Sequence, residues 1–166
     1  MAKNICQILI YGDTLNSFTT EIVSNTPEET LEIGVKLAPF IGVGKIAYLK
    51  GPLGAGKTTL VKGITSYYNC AQPAKSPTFI LVTSYFGDIS INHCDFFRLN
   101  NSEEIFDLAL EEYLEDGNLI IEWPEIGEKY LPDPDIEIIL EHTNEESKRK
   151  ISINSYNKQI LSNIKK

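Results

Sequence analysis

With 166 residues, 42% of them apolar and 23% charged, the chain can bury one core and is too apolar to be wholly disordered. Its 15 Lys and Arg stand against 23 Asp and Glu, a formal charge of −8, which excludes a protein whose main task is gripping DNA or RNA but allows a confined basic pocket for a phosphate ligand. The three cysteines, Cys6, Cys70 and Cys94, form no C-x-x-C pair, so reduced thiols are expected rather than a disulfide framework or a zinc site.

The apolar run at residues 8–11 is too short for a signal-peptide core, and no stretch is long enough to cross a bilayer. A soluble cytoplasmic protein is therefore expected, with no membrane contact. Residues 1–24 read as an extension without an assigned role, although 18–23 alternate as a strand does. Thr26-Pro27-Glu28-Glu29 is a helix start: Thr26 caps, Pro27 takes the first helical position, and Glu29 completes a capping box. Leu31, Val35 and Ala38 carry an apolar face to about Phe40, and Gly42 and Gly44 stop the helix.

A strand over 45–49, a glycine-rich turn over 51–56 and a helix bearing Leu60, Val61, Ile64 and Tyr67 follow as one unit. Strands are next expected at 79–86 and 89–94, then a helix pair over 102–114, a buried strand at 118–121 and a short helix at 124–130. Strands at 136–140 and 151–153 make a late hairpin, and a peripheral helix closes the chain over 155–166. Alternating strands and helices imply an α/β sandwich with a mixed central sheet. We place its domain at 25–155 and a tail at 156–166.

Gly51-Pro52-Leu53-Gly54-Ala55-Gly56-Lys57-Thr58 matches G-x-x-x-x-G-K-[ST]. Glycines let the backbone curl until successive N–H groups face one anion, and the helix start adds its positive dipole end. Leu53, Gly54, Ala55, Gly56, Lys57, Thr58 and Thr59 are thus expected around a nucleotide's phosphates. Lys57 should reach the β- and γ-phosphates, and the Thr58 hydroxyl should ligate Mg²⁺. Pro52 has no N–H to offer. The motif follows an apolar strand and opens an amphipathic helix, the context it requires. A single-domain, three-layer sandwich like that of P-loop NTPases, with a mixed central sheet, follows.

Magnesium needs further oxygen ligands, and ligand-facing residues in such sheets lie at the carboxyl ends of strands. Asp95 and Glu122 both stand there, as metal ligands or with one of them positioning water. Ser76-Pro77-Thr78-Phe79 could sense a γ-phosphate as a switch or be an ordinary turn. His93 shares a strand face with Asp95, and a packed, hydrogen-bonded ring is the preferred reading. Trp123 and Tyr85 could be core aromatics or stack on a ligand. Lys148-Arg149-Lys150 reads as a solvated hairpin.

Taken together, Gly51 to Thr59, Ser76-Pro-Thr-Phe79, His93-Cys-Asp-Phe-Phe-Arg98 and Glu122-Trp-Pro-Glu125 resemble the TsaE (YjeE) family in order and spacing, over about residues 26–140. That family comprises ATPases of bacterial tRNA threonylcarbamoyladenosine synthesis. The resemblance implies an ATPase fold with a mixed, mostly parallel sheet, Mg-ATP at the loop and partners TsaD and TsaB, with TsaD modifying adenosine 37 and the ATPase resetting or driving the complex, so that tRNA is reached indirectly. It implies phosphate binding by Lys57, Mg²⁺ held by Thr58 and Glu122, and Asp95 in or beside the hydrolytic site. Trp123 would sit near the nucleotide, Thr78 in a switch-like segment, Arg98 on the partner surface, and the turn at Thr26 near the adenine. The chain departs from the pattern at Pro52, where an acid is usual, and at Phe97, where tyrosine is usual.

A GTPase is disfavoured because Asn157-Lys158-Gln159-Ile160 lacks the acid of N-K-x-D and no D-x-x-G occurs. A small-molecule kinase would need more arginines than Arg98 and Arg149 to hold two polyanions. A nucleotide-gated binding module with incidental turnover is compatible with the sequence. The scarcity of arginine predicts slow hydrolysis by the chain alone.

Overall fold

The computed structural model describes residues 17–76, 80–99 and 101–164. Seven strands form one sheet: β1 Phe18–Ser24, β2 Ile46–Lys50, β3 Val82–Phe86, β4 Ser90–Asp95, β5 Gly117–Glu122, β6 Ile136–His142 and β7 Arg149–Ser155. Their spatial order is β1-β7-β6-β2-β5-β4-β3. The β6–β2, β2–β5 and β5–β4 pairs are parallel, and the β1–β7, β7–β6 and β4–β3 pairs antiparallel. Only β7 and β3 therefore run against the others, so the sheet is mixed and mostly parallel, as expected.

Strands in the middle of such a sheet are covered on both faces and read as continuous apolar runs. Here β5 is buried along its whole length. Period-two alternation divides the core. Ala47, Leu49, Ile120 and Ile138 face α1 (Pro27–Leu37) and α2 (Lys57–Tyr67), where Leu37, Leu60, Val61 and Ile64 meet them. Ile46, Tyr48, Leu119 and Ile121 face the other way, onto Ile105 and Leu110. A short α3, Gln159–Ile164, packs beside α1. No described helix is long and apolar enough to cross a membrane.

Among the described residues the second face carries no α-helix. The helix pair expected over 102–114 is instead two 3₁₀ segments, Ser102–Leu108 and Leu110–Leu114, broken by Ala109 at φ 45°. An α-helix here would stack Glu103, Asp107, Glu111 and Glu115 at successive i,i+4 positions, a column of like charges that opposes it. The short helix expected at 124–130 is likewise two 3₁₀ turns, Pro124–Ile126 and Glu128–Tyr130. α1 stops at Leu37, and a 3₁₀ turn with Pro39 completes its end, because proline has no N–H to continue the ladder. β3 starts later than expected, at Val82; residues 77–79 lie outside the described set. β6 and β7 run longer than expected, to His142 and from Arg149.

The α1 start follows the capping logic with one shift. Thr26 Oγ1 accepts the Glu29 N–H at 3.2 Å, but the Glu29 carboxylate reaches back to the Asn25 N–H, at 2.7 Å, rather than to Thr26. α1 and α2 cross at Gly34 and Gly63. A Cβ on Gly63 would fall on the Leu31 carbonyl oxygen and lie 2.9 Å from Val35 N. Gly63→Ala must therefore pry the helices apart. It should lower unfolding free energy by about 2 kcal/mol, the usual scale of overpacking. A urea midpoint unchanged from wild type would contradict this close approach.

Candidate active site

The carboxyl ends of β2, β4 and β5 lie side by side, with Leu49 and Asp95 both in register with Glu122. Along β4, Ile91, His93 and Asp95 share the face toward α2, and along β5 Ile120 and Glu122 do. The sheet thus delivers two acids and a histidine to the start of α2.

The glycine loop connects β2 to that helix start. Gly51, Gly54 and Gly56 have φ of 136°, 74° and 101°. Gly51 is obligatory twice over, since a Cβ there would also fall on the Leu140 carbonyl oxygen. Inside the loop, Ala55 N–H donates to the Pro52 carbonyl at 3.2 Å. Gly56 is the N-cap of α2 and brings no side-chain cap, so the first-turn amides are directed at whatever lies before the helix.

Before it lies a cavity of about 330 Å³. Residues 53–59 form one wall, and Ser76, Asp95, Phe97, Arg98, Glu122 and Trp123 complete it. The structure therefore gathers Leu53, Gly54, Ala55, Gly56, Lys57, Thr58, Thr59, Asp95, Glu122, Trp123, Ser76 and Arg98 in one place. Thr78 lies outside the described residues. Thr26 is not on this wall. Its neighbours Pro27 and Thr30 line a second cavity of about 610 Å³, which shares Gly54, Gly56 and Thr59 with the first and also borders Arg149.

Lys57 is 5% exposed. Its Nζ donates to the Gly51 and Pro52 carbonyls at 2.8 and 3.1 Å and lies 4.4 Å over the Trp123 ring and 3.9 Å from Glu122 Oε2. Burial lowers its pKa, and the carboxylates of Glu122, Asp95 and Glu125 oppose that shift. Trp123 reaches this position from the left-handed region, at φ 58°, which is costly for a bulky residue, and its ring centroid is 4.9 Å from that of Phe97.

Glu122, 3% exposed, has Oε1 at 2.9 Å from His93 Nε2 and 3.5 Å from the Thr58 hydroxyl. A carboxylate only accepts, so His93 carries its proton on Nε2. The ring is wholly buried, and its Nδ1 finds no partner among the described residues. His93 is thus packed and hydrogen-bonded, as preferred from sequence, and its bond goes to the acid at the centre of the site.

Asp95 Oδ1 accepts the Phe97 N–H at 3.0 Å. Burial raises the Asp95 pKa, the Phe97 hydrogen bond works against this, and the neighbouring Glu122 charge adds to it. The folded carboxyl then holds its proton above the unfolded value, so stability is highest below the unfolded pKa and falls as pH rises through the folded one. Asp95→Asn, which keeps the acceptor for Phe97, should raise the urea midpoint at neutral pH, with the gain vanishing at acid pH. A gain independent of pH would show that the charge is not its cause.

Two residues beside the loop were not singled out from sequence. In the basic triplet, Lys148 and Lys150 are ion-paired, with Glu145 and Glu21 respectively, both at 2.7 Å. Arg149 is half-buried and donates to the Glu146 and Lys148 carbonyls of the hairpin and, at 3.3 Å, to the Gly54 carbonyl. The signal was present in the strand period, since Arg149 alternates in step with buried Ile151 and Ile153. His142, in step with Leu140, was overlooked in the same way, and its Nε2 lies 3.2 Å from the Leu53 carbonyl oxygen. The described cysteines, Cys70 and Cys94, are free thiols whose pKa values burial raises, and neither lines the cavity; Cys6 lies outside the described residues.

The sequence model of the family described as "Threonylcarbamoyl adenosine biosynthesis protein TsaE" matches residues 24–151. The chain is similar to "tRNA threonylcarbamoyladenosine biosynthesis protein TsaE" of Rickettsia bellii, with 36% identity over 76% of this chain and 89% of that one. The protein of the same description from Nostoc sp. is 37% identical over 78% and 83%. That from Bacillus subtilis is 33% identical over 74% and 77%. Among solved structures, Bacillus subtilis YdiB superposes with a TM-score of 0.70 at 24% identity, covering 90% of this chain and 94% of that one, a likeness of fold.

Proposed function

The chain belongs to the TsaE family, and from that premise we propose that it is an ATPase of tRNA threonylcarbamoyladenosine synthesis, working with the TsaD and TsaB proteins. One observation carries the catalytic part of this reading: Lys57, Thr58, Asp95 and Glu122 converge on a single cavity at the N-terminus of α2. A triphosphate is the ligand that uses all of it. Loop amides and the helix dipole attract the phosphate oxygens, and Lys57 supplies a point charge. The second cavity adjoins the same loop and suits the base and ribose, with Pro27 and Thr30 on its wall beside the Thr26 cap.

The Thr58 hydroxyl and the Glu122 carboxylate are hard oxygen donors suited to magnesium, with Asp95 as a third oxygen donor close by. Among the described residues no group of three or more His, Cys, Asp or Glu is arranged to hold a metal unaided, so phosphate oxygens and water would complete the shell. Bound there, the ion would neutralise charge on the phosphates. Asp95, whose basicity burial raises, is the better placed acid to orient and deprotonate the attacking water. His93 holds Glu122 in its rotamer.

Arg98 is the one arginine on the wall of the first cavity, so countercharge for the transition state is sparse, and hydrolysis by the chain alone should be slow. The test is ATP hydrolysis measured with and without TsaB and TsaD, alongside tRNA modification followed over multiple turnovers. The rate should rise on adding the partners, and modification should stall without this chain. A high rate indifferent to the partners would overturn the reading.

A further inference from the structure

Resting on the nucleotide reading above, we propose that His142 is a positioning residue for the phosphate-binding loop, acting through the Leu53–Gly54 peptide. The β6–β7 hairpin forms the back of that loop. Leu140 presents its carbonyl to Gly51 so closely that no side chain fits between them. Two residues further along β6, His142 pairs in register with Arg149 of β7. Both then reach the loop, His142 Nε2 to the Leu53 carbonyl at 3.2 Å and Arg149 to the Gly54 carbonyl at 3.3 Å. A carbonyl oxygen only accepts, so His142 must carry a proton on Nε2.

The consequence follows from peptide geometry. A trans peptide points its N–H opposite to its C=O. Tying the Leu53 carbonyl outward to the hairpin turns the Gly54 N–H away from it, toward the phosphate cavity. The next amide is spoken for, because the Ala55 N–H donates to Pro52. Sterics do not fix the Leu53–Gly54 plane. Leu53 is 75% exposed, and around Gly54 the nearest atom to a built Cβ is His142 Cε1 itself, at 3.9 Å. A glycine at φ 74° with such space around it can rotate. The His142 hydrogen bond is what selects one orientation of the plane.

The test compares His142→Leu with His142→Gln, whose amide nitrogen can donate where Nε2 does. Two readouts are taken: the Gly54 amide resonance of the nucleotide-free chain, and the ATP dissociation constant with magnesium. His142→Leu should shift and broaden the Gly54 resonance and weaken ATP binding about fivefold, the loss of one ordinary hydrogen bond. His142→Gln should restore both. An unmoved Gly54 amide in His142→Leu, or equal impairment in the two variants, overturns the proposal. So would nitrogen chemical shifts in the unsubstituted protein that put the neutral ring proton on Nδ1. If the unsubstituted chain bound no ATP, the nucleotide reading would fall, and the Gly54 amide and ring tautomer would still decide the role of His142.

Discussion

Lys57→Met should weaken ATP binding on the order of 100-fold, the scale of removing one partner from a desolvated charge pair. Methionine keeps most of the apolar stem and its packing under Trp123, so the loss isolates the charge. In the folded chain the ammonium has almost no water: it is 5% exposed and draws instead on two loop carbonyls and the Trp123 ring. Burial alone would favour its neutral form, and the Glu122 and Asp95 carboxylates work against that. A cation kept under those terms, on the first residue of α2, would meet a polyanion with little solvent between them. Lys57→Arg should not restore binding, because a forked guanidinium cannot occupy the narrow place between the Gly51 and Pro52 carbonyls. Titration calorimetry with Mg-ATP decides the matter. A methionine variant that bound within twofold of wild type would mean the phosphates do not lie where Lys57 can reach them.

The glycine loop before α2 was legible in the sequence because its geometry is local. Gly51, Gly54 and Gly56 are needed where φ is positive, Lys57 and Thr58 open the helix, and all lie within eight residues. Asp95 and Glu122 were legible because each ends an apolar run, and the parallel register then sets them side by side. What was not legible depends on contacts made across the sheet. His93 could be seen to share a face with Asp95, but not that its Nε2 would meet Glu122, a residue 29 positions away. Arg149 and His142 looked like hairpin residues because their partners, Gly54 and Leu53, are about 90 residues distant in the chain. The 3₁₀ segments over the second face were misread for a different reason. A helix pair was expected from Ser102 to Leu114, while the column of acids at i,i+4 spacing, visible in the same stretch, was not weighed.

Glu122→Gln should cut partner-stimulated hydrolysis on the order of 1,000-fold while leaving ATP affinity within a few-fold of wild type. The substitution is nearly isosteric. Its amide oxygen can still accept from His93 Nε2, and the Thr58 hydroxyl remains beside it, so the rotamer is retained. What disappears is a buried negative charge, 3% exposed, at the point where a divalent ion would bridge protein and phosphate. On the proposed reading, affinity would come mainly from the loop amides and Lys57, which Gln leaves in place. Removing the charge also relieves Asp95 of a repulsive neighbour, which should bring the Asp95 carboxyl back toward its ordinary range. The pH dependence of any residual turnover should therefore move to lower pH, a change that a merely loosened site would not produce. Glu122→Gln hydrolysing at the wild-type rate in the assembled complex would remove Glu122 from the chemistry and leave Asp95 as the only acid on the wall to hold the ion.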